Sequence, residues 1–226
     1  MPLIEVYLAN LRDLDNAHAL SLLDASEIPR AARISHLGAR EEFIKSRALL
    51  RTVLGKHSAI DARALVFQTA EFGKPFIDGL DGLHFNLSHS GGMAMIGVSP
   101  IPVGVDIERI DGKVDIDDVA ISVFSRSERD YLAAIPHPQR RDAFFRLWAR
   151  KEAYLKATGN GFSSALPMIS TLSDTVLDHS AGAESQQHAI FDLAAPERFK
   201  AALVTTAPDC DIRIIEISQL SQIGHL

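Results

Sequence analysis

Val103-Gly104-Val105-Asp106-Ile107-Glu108 follows directly on Ser99-Pro100-Ile101-Pro102, and this passage divides the chain. Two closely spaced prolines stop a strand, because proline cannot donate to a ladder. The run after them, β-branched at every second position, reads as a strong strand. Side chains alternate across a strand, so Asp106 and Glu108 share one face while Val105 and Ile107 share the other. Two carboxylates about 7 Å apart on one strand repel each other unless a counter-charge is near. A hard divalent cation with oxygen ligands supplies that charge, and magnesium typically takes one or two carboxylates plus substrate phosphates. A strand end with both acids in water explains this segment, taken alone, at least as well.

Outward from this strand, each side carries one long helix and several strands. On the N-terminal side, Leu3–Leu8 alternates as a strand. Phe43, Ile44, Leu50 and Leu54 fall near helical spacing over Arg40–Leu54. Ala64–Thr69 and Phe85–Ser88 read as short strands, with turns between them at Gly73-Lys74-Pro75 and Asp78-Gly79-Leu80-Asp81-Gly82, and Met93–Val98 is a further apolar run. On the C-terminal side, Ser125-Arg126-Ser127-Glu128 is a capping box that opens a helix through Leu132. A longer helix runs from about Arg141 to Ala157 and is closed by Gly159 and Gly161. The polar stretch Ser173–His188 is expected to be a loop. Ala189–Leu193, Ala201–Thr205 and Ile212–Ile217 read as strands. The expected class is α+β in two packed halves, residues 1–102 and 103–226.

Composition narrows the function classes. Hydrophobic residues make up 46% and charged residues 23% of the 226, as in ordinary globular proteins. No apolar run reaches the length that spans a bilayer. One cysteine, Cys210, excludes an internal disulfide and a cysteine-rich zinc site. Met1-Pro2-Leu3-Ile4-Glu5-Val6 lacks the basic region and long apolar stretch of a signal peptide, so the expected location is cytoplasmic. A net charge of −6 argues against broad nucleic-acid binding but leaves room for a local basic pocket. There is no phosphate loop, no dinucleotide fingerprint, no H-E-x-x-H motif and no zinc spacing among the nine histidines.

Two further segments carry chemistry. In Trp148-Ala149-Arg150-Lys151-Glu152-Ala153-Tyr154-Leu155-Lys156, Glu152 and Lys156 are four apart and share a helix face. That is a surface ion pair worth a few tenths of a kcal/mol, or a site if the face is covered. Trp148, one turn earlier on the same face, favours cover. In Phe85-Asn86-Leu87-Ser88-His89-Ser90-Gly91-Gly92, neighbours point to opposite faces, so Ser88 and His89 cannot form a nucleophile–base pair. The segment suits donors approaching a phosphate, or a plain turn. Most of Arg30, Arg33, Arg40, Arg47, Arg51 and Lys74 are expected to be solvated or to support helix faces, and little in its turn buries the stem of Lys74.

The order Gly73-Lys74-Pro75, Phe85-Asn86-Leu87-Ser88-His89-Ser90, Gly104-Val105-Asp106-Ile107-Glu108, Trp148-x-x-Lys151-Glu152-Ala153-x-x-Lys156 resembles the 4'-phosphopantetheinyl transferase family. The likeness is to its long, surfactin-synthetase-activator (Sfp) type, and the motifs span about Arg30 to Phe162. It implies two similar α/β halves related by a pseudo-twofold axis, with coenzyme A in a cleft between them. It implies magnesium, or manganese in its place, held by Asp106, Glu108 and Glu152. Lys74, Ser88, His89 and Lys156 would meet the coenzyme's phosphates, and Arg30, or Arg33 in its stead, its adenosine 3'-phosphate. Glu152 and Lys156 would be catalytic. The partner would be an apo acyl or peptidyl carrier protein, with no nucleic acid and no membrane, and the active form a monomer. Other readings are a magnesium-dependent hydrolase of a nucleotide or coenzyme pyrophosphate, and a non-catalytic coenzyme- or carrier-binding module.

Overall fold

The computed structural model describes residues 1–70, 73–159, 166–178 and 186–225. The N-terminal part runs β1 (Leu3–Asn10), α1 (Asn16–Leu22), α2 (Glu27–Arg33), α3 (Leu37–Ser58), β2 (Gln68–Thr69), β3 (Pro75–Phe76), β4 (His84–Ser90) and β5 (Met93–Ser99). After the proline step come β6 (Val103–Arg109), α4 (Ile116–Val123), α5 (Arg126–Ala134), α6 (His137–Thr158), β7 (Thr175–Asp178), β8 (Gln186–Leu193), β9 (Phe199–Thr205) and β10 (Asp211–Ile217). A short 3-10 turn, Leu220–His225, follows.

Two four-stranded sheets, ordered β10-β1-β5-β4 and β6-β9-β8-β7, pack face to face, and α3 and α6 cover their outer faces. Strand periodicity sorts the core into three layers. Ile4, Val6 and Leu8 of β1 meet Val103, Val105 and Ile107 of β6 between the sheets. Tyr7 and Ala9 turn the other way, onto Leu49, Leu50 and Val53 of α3. Ala202 and Val204 of β9 pack against Phe144, Ala153 and Ala157 of α6. In both sheets a first strand, β1 or β6, pairs antiparallel with a later one, β5 or β9.

Space and chain order part company at the C-terminus. The line between residues 102 and 103 falls between β5 and β6, yet β10 runs parallel to β1 from Leu3↔Asp211 to Ala9↔Ile217. Ile217, Leu220 and Ile223 complete the core under α3.

Several boundaries differ from expectation. The longest C-terminal helix starts at His137, not Arg141, because Pro138 sits in its first turn, where a missing N–H costs nothing. Gly159 closes it at φ 74°, and Gly161 lies outside the described residues. The stretch expected as a loop instead holds β7 and the start of β8. β7 is an edge strand, where polar residues are tolerated. The capping box forms as expected, with Ser125 Oγ accepting from Glu128 N at 3.3 Å and Glu128 Oε2 from Ser125 N at 2.8 Å. Glu128 also pairs with the buried Lys151 at 3.0 Å, which ties α5 to α6.

The arginines of the first half are not all solvated. Arg51 is fully buried; it bonds Glu27 Oε2 at 2.6 Å, the Ala62 carbonyl at 2.8 Å, the Leu65 carbonyl at 3.0 Å, and Asp24. Arg47 pairs with the other oxygen of Glu27. A buried guanidinium is tolerable only when its donors are met, and here they pin α2 and the Ala62–Leu65 turn to α3.

Candidate active site

β4 and β6 are edge strands of different sheets, and they meet. An edge strand leaves alternate N–H groups without a ladder partner. Those of β6 are met by side chains of β4 at a constant offset. Val105 N donates to Asn86 Oδ1 at 2.9 Å, Ile107 N to Ser88 Oγ at 3.3 Å, and Arg109 N to Ser90 Oγ at 3.2 Å. The two serine hydroxyls donate onward, Ser88 to Asp106 Oδ1 and Ser90 to Glu108 Oε2, each at 2.8 Å. Each serine therefore fixes a carboxylate against the backbone of its own strand. His89 points the other way and meets Glu42 of α3 at 3.4 Å, as the strand period requires.

The α6 helix closes the other side. A Cβ on Gly104 would lie 2.1 Å from the Ala153 carbonyl oxygen and 2.3 Å from Ala157 N. Glycine alone lets the helix backbone rest directly on β6. That contact brings one helix face, Trp148, Glu152 and Lys156, onto the strand acids. Trp148 Nε1 donates to Glu108 Oε1 at 3.3 Å. Lys156 Nζ donates to Asp106 Oδ1 at 2.5 Å and to Ser88 Oγ at 3.0 Å. Glu152 and Lys156 are thus not a mere surface pair; the lysine is committed to the strand.

The electrostatics are those of a partly neutralised acid cluster. Burial, then the charge of Asp106, raises the Glu152 carboxyl to about 7; Lys156 pulls it down and Glu108 adds a smaller push upward. Burial, then Asp106, also raises Glu108, against the hydrogen bonds from Ser90 and Trp148 and the charge of Lys156. Asp106 is 1% exposed, and its Oδ2 is buried with no hydrogen bond among the described residues. One lysine does not neutralise three carboxylates.

As they stand, no three or more acid, histidine or cysteine side chains among the described residues are grouped closely enough to hold a metal ion. The donor chemistry nonetheless fits a hard cation. The side chains are carboxylates, they share one field, and one buried carboxylate oxygen has no donor.

Lys74 departs from expectation. Its ammonium donates to the Lys156 carbonyl at 2.6 Å, and burial holds its pKa below the ordinary lysine value. The turn at Gly73 therefore caps the C-terminal end of α6 beside the acid cluster. Arg30 stays outside the cluster, exposed on α2 with its guanidinium 5.2 Å from the Phe43 ring centroid. Arg33 is exposed on the same helix.

Sequence reasoning missed Asn86, Ser90 and the contact made by Gly104. A signal for the first two was present. Polar residues at 86, 88 and 90 repeat with period two, as do the acids at 106 and 108. That pattern marks two facing edges, but only once the strands are known to be neighbours.

Residues 102–207 match the model of the 4'-phosphopantetheinyl transferase superfamily. The chain is 32% identical to a 4'-phosphopantetheinyl transferase of Bacillus subtilis, over 85% of this chain and 86% of that protein. It is 34% identical to the 4'-phosphopantetheinyl transferase HetI of a Nostoc species, over 62% and 61% of the two chains. With the 4'-phosphopantetheinyl transferase Sfp of Bacillus subtilis it shares 30% identity over 69% of each.

Proposed function

This chain belongs to the 4'-phosphopantetheinyl transferase superfamily, and we propose that its reaction runs at the cluster of Asp106, Glu108, Glu152 and Lys156. It transfers the 4'-phosphopantetheine arm of coenzyme A to a serine of an apo carrier protein and releases adenosine 3',5'-bisphosphate. The observation that carries the siting is the convergence of Lys156 and Ser88 on Asp106, where the two sheets and α6 meet. The ligand cleft, the pseudo-twofold relation of the halves and a cytoplasmic monomer belong to this reading. Among the described residues no helix is long and apolar enough to cross a membrane.

Asp106, Glu108 and Glu152 would hold magnesium, which supplies positive charge against the pyrophosphate of the coenzyme. The protein's own groups do the rest. Ser88 and Ser90 fix the orientation of the strand carboxylates, and Trp148 braces Glu108. The Lys156 ammonium stabilises negative charge on the bridging oxygen as the phosphorus–oxygen bond breaks and the carrier serine's oxygen bonds to phosphorus. The proton leaving that serine goes to Glu152, directly or through a water. Lys74 and His89, with Arg30 at the adenosine 3'-phosphate, would bind the coenzyme.

The test is an apo carrier incubated with coenzyme A and this protein, followed by intact-protein mass spectrometry. A phosphopantetheine mass gain on the carrier serine, lost with Glu152→Gln, is the expected result. Cleaved coenzyme with an unmodified carrier would point instead to a hydrolase.

A further inference from the structure

Two partners compete for the charge of Lys156, and the geometry shows which of them holds it. The ammonium donates to Asp106 Oδ1 at 2.5 Å and to Ser88 Oγ at 3.0 Å. It is therefore the counter-ion of a carboxylate that is 1% exposed. The same charge also reaches Glu108 and Glu152 and opposes the upward push of burial on both. The reaction proposed above needs that ammonium elsewhere, on the pyrophosphate of the coenzyme.

The side chain can move while its helix stays. The backbone of Lys156 is held, because its carbonyl accepts from Lys74 at 2.6 Å and α6 rests directly on Gly104. The side chain itself is 27% exposed, so nothing walls it in completely. A flexible four-carbon stem reaches a new position by rotamer change alone. Ser88 keeps Asp106 aligned meanwhile, since its hydroxyl donates to Oδ1 at 2.8 Å whether or not the lysine is there.

A divalent cation and an ammonium that draw on the same carboxylate repel each other. With the lysine seated on Asp106, the acids among the described residues are not grouped closely enough to hold a metal ion. We propose that Lys156 is an exchangeable counter-ion, which neutralises Asp106 until coenzyme A presents its pyrophosphate, then passes to the phosphates and yields the carboxylate to the metal. The inference rests on the site assigned under Proposed function and goes beyond it by linking the two ligands. The lysine opposes the metal, and the coenzyme favours the metal by drawing the lysine away. By reciprocity the metal raises coenzyme affinity by the same factor. The buried carboxylate is at no stage left without a counter-charge, which would be costly. Were the pair only a structural brace, a metal would use the free Oδ2 of Asp106 with the lysine in place. Removing the lysine would then leave metal affinity unchanged or lower it.

The experiment titrates manganese into wild type, Lys156→Met, Lys156→Gln and Asp106→Asn, with free manganese read by electron paramagnetic resonance. No carrier is present, so no turnover occurs. Each protein is titrated alone and again with coenzyme A. Alone, both lysine variants should bind manganese roughly ten- to hundredfold more tightly than wild type, as removal of a neighbouring like charge shifts an ionic equilibrium. Coenzyme A should tighten manganese binding to wild type, and by a smaller factor in the lysine variants. Equal or weaker manganese binding by the lysine variants alone overturns the exchange while leaving the site intact. Manganese binding that is absent from all four proteins even with coenzyme A, or untouched by Asp106→Asn, is a different failure. It removes the metal site itself, and the exchange with it. Should Lys156→Met not fold, Lys156→Gln, which keeps a neutral donor for Asp106, carries the same comparison.

Discussion

Gly104→Ala is the smallest change expected to dismantle the site without touching a polar group. The added methyl carbon would sit 2.1 Å from the Ala153 carbonyl oxygen, 2.3 Å from Ala157 N and 2.9 Å from Ala157 Cα. All three are backbone atoms of a hydrogen-bonded helix, so no side chain can swing aside. Strand and helix must part by roughly 1 Å, and overpacking of this kind reaches the upper end of its range, about 3 kcal/mol. For a chain of this length that lowers the melting temperature by about 6–12 °C. The same displacement draws Glu152 and Lys156 off Asp106 and Glu108, and a 1 Å misplacement of catalytic groups costs on the order of a hundredfold in rate. Gly97→Ala is the control. Its Cβ would meet Val105 Cγ1 at 2.8 Å, a side-chain atom that can shift, and the position lies in the hydrophobic layer away from Lys156. Scanning calorimetry and steady-state transfer kinetics on both variants check the argument. Wild-type melting and wild-type turnover for Gly104→Ala would refute direct packing of α6 on β6 as the source of the site's geometry.

Asn86→Ala strips the acceptor from a buried strand N–H, so denaturant unfolding should show a loss of about 1–3 kcal/mol; an unchanged midpoint would mean the seam is not held by that bond. The Glu152 carboxyl has a folded pKa of about 7 against an ordinary 4.5. The folded chain therefore keeps a proton that the unfolded chain has lost, and the associated stability is full below the lower value and falls as pH rises through the upper one. Glu152→Gln should flatten that decline in a pH series of unfolding midpoints, and matching slopes in the two proteins would count against the shift. Chelator should abolish transfer, with magnesium or manganese restoring it and calcium doing so poorly; full activity in excess chelator would remove the metal from the mechanism.

Much of the local structure was legible because it is periodic. The strand period put Asp106 and Glu108 on one face, and the helical period put Trp148, Glu152 and Lys156 on one stripe. The box at Ser125 and Glu128 announced its helix. Where periodicity was weak, the reading failed. The polar stretch holding β7 looked like a loop because an edge strand need not bury both faces. The short helices α1, α2 and α4 carry too few turns to show a stripe.

By itself the sequence determined which residue types stand at which phase of which element, and through its ordered motifs the family. It could not say which elements touch, because that rests on contacts between residues far apart in the chain. Only tertiary structure decided that β10 joins β1 across the whole length of the protein, and that Arg51 is buried among acids and carbonyls rather than solvated. Only packing showed that Lys74 reaches the Lys156 carbonyl, and that Asn86, Ser88 and Ser90 stand in for a missing backbone ladder. The physical reason lies in the edges. A strand's free N–H groups must be satisfied, but the chain does not encode locally what will satisfy them. Here that partner is the opposite sheet, and the carboxylates are aligned as a consequence of the joint.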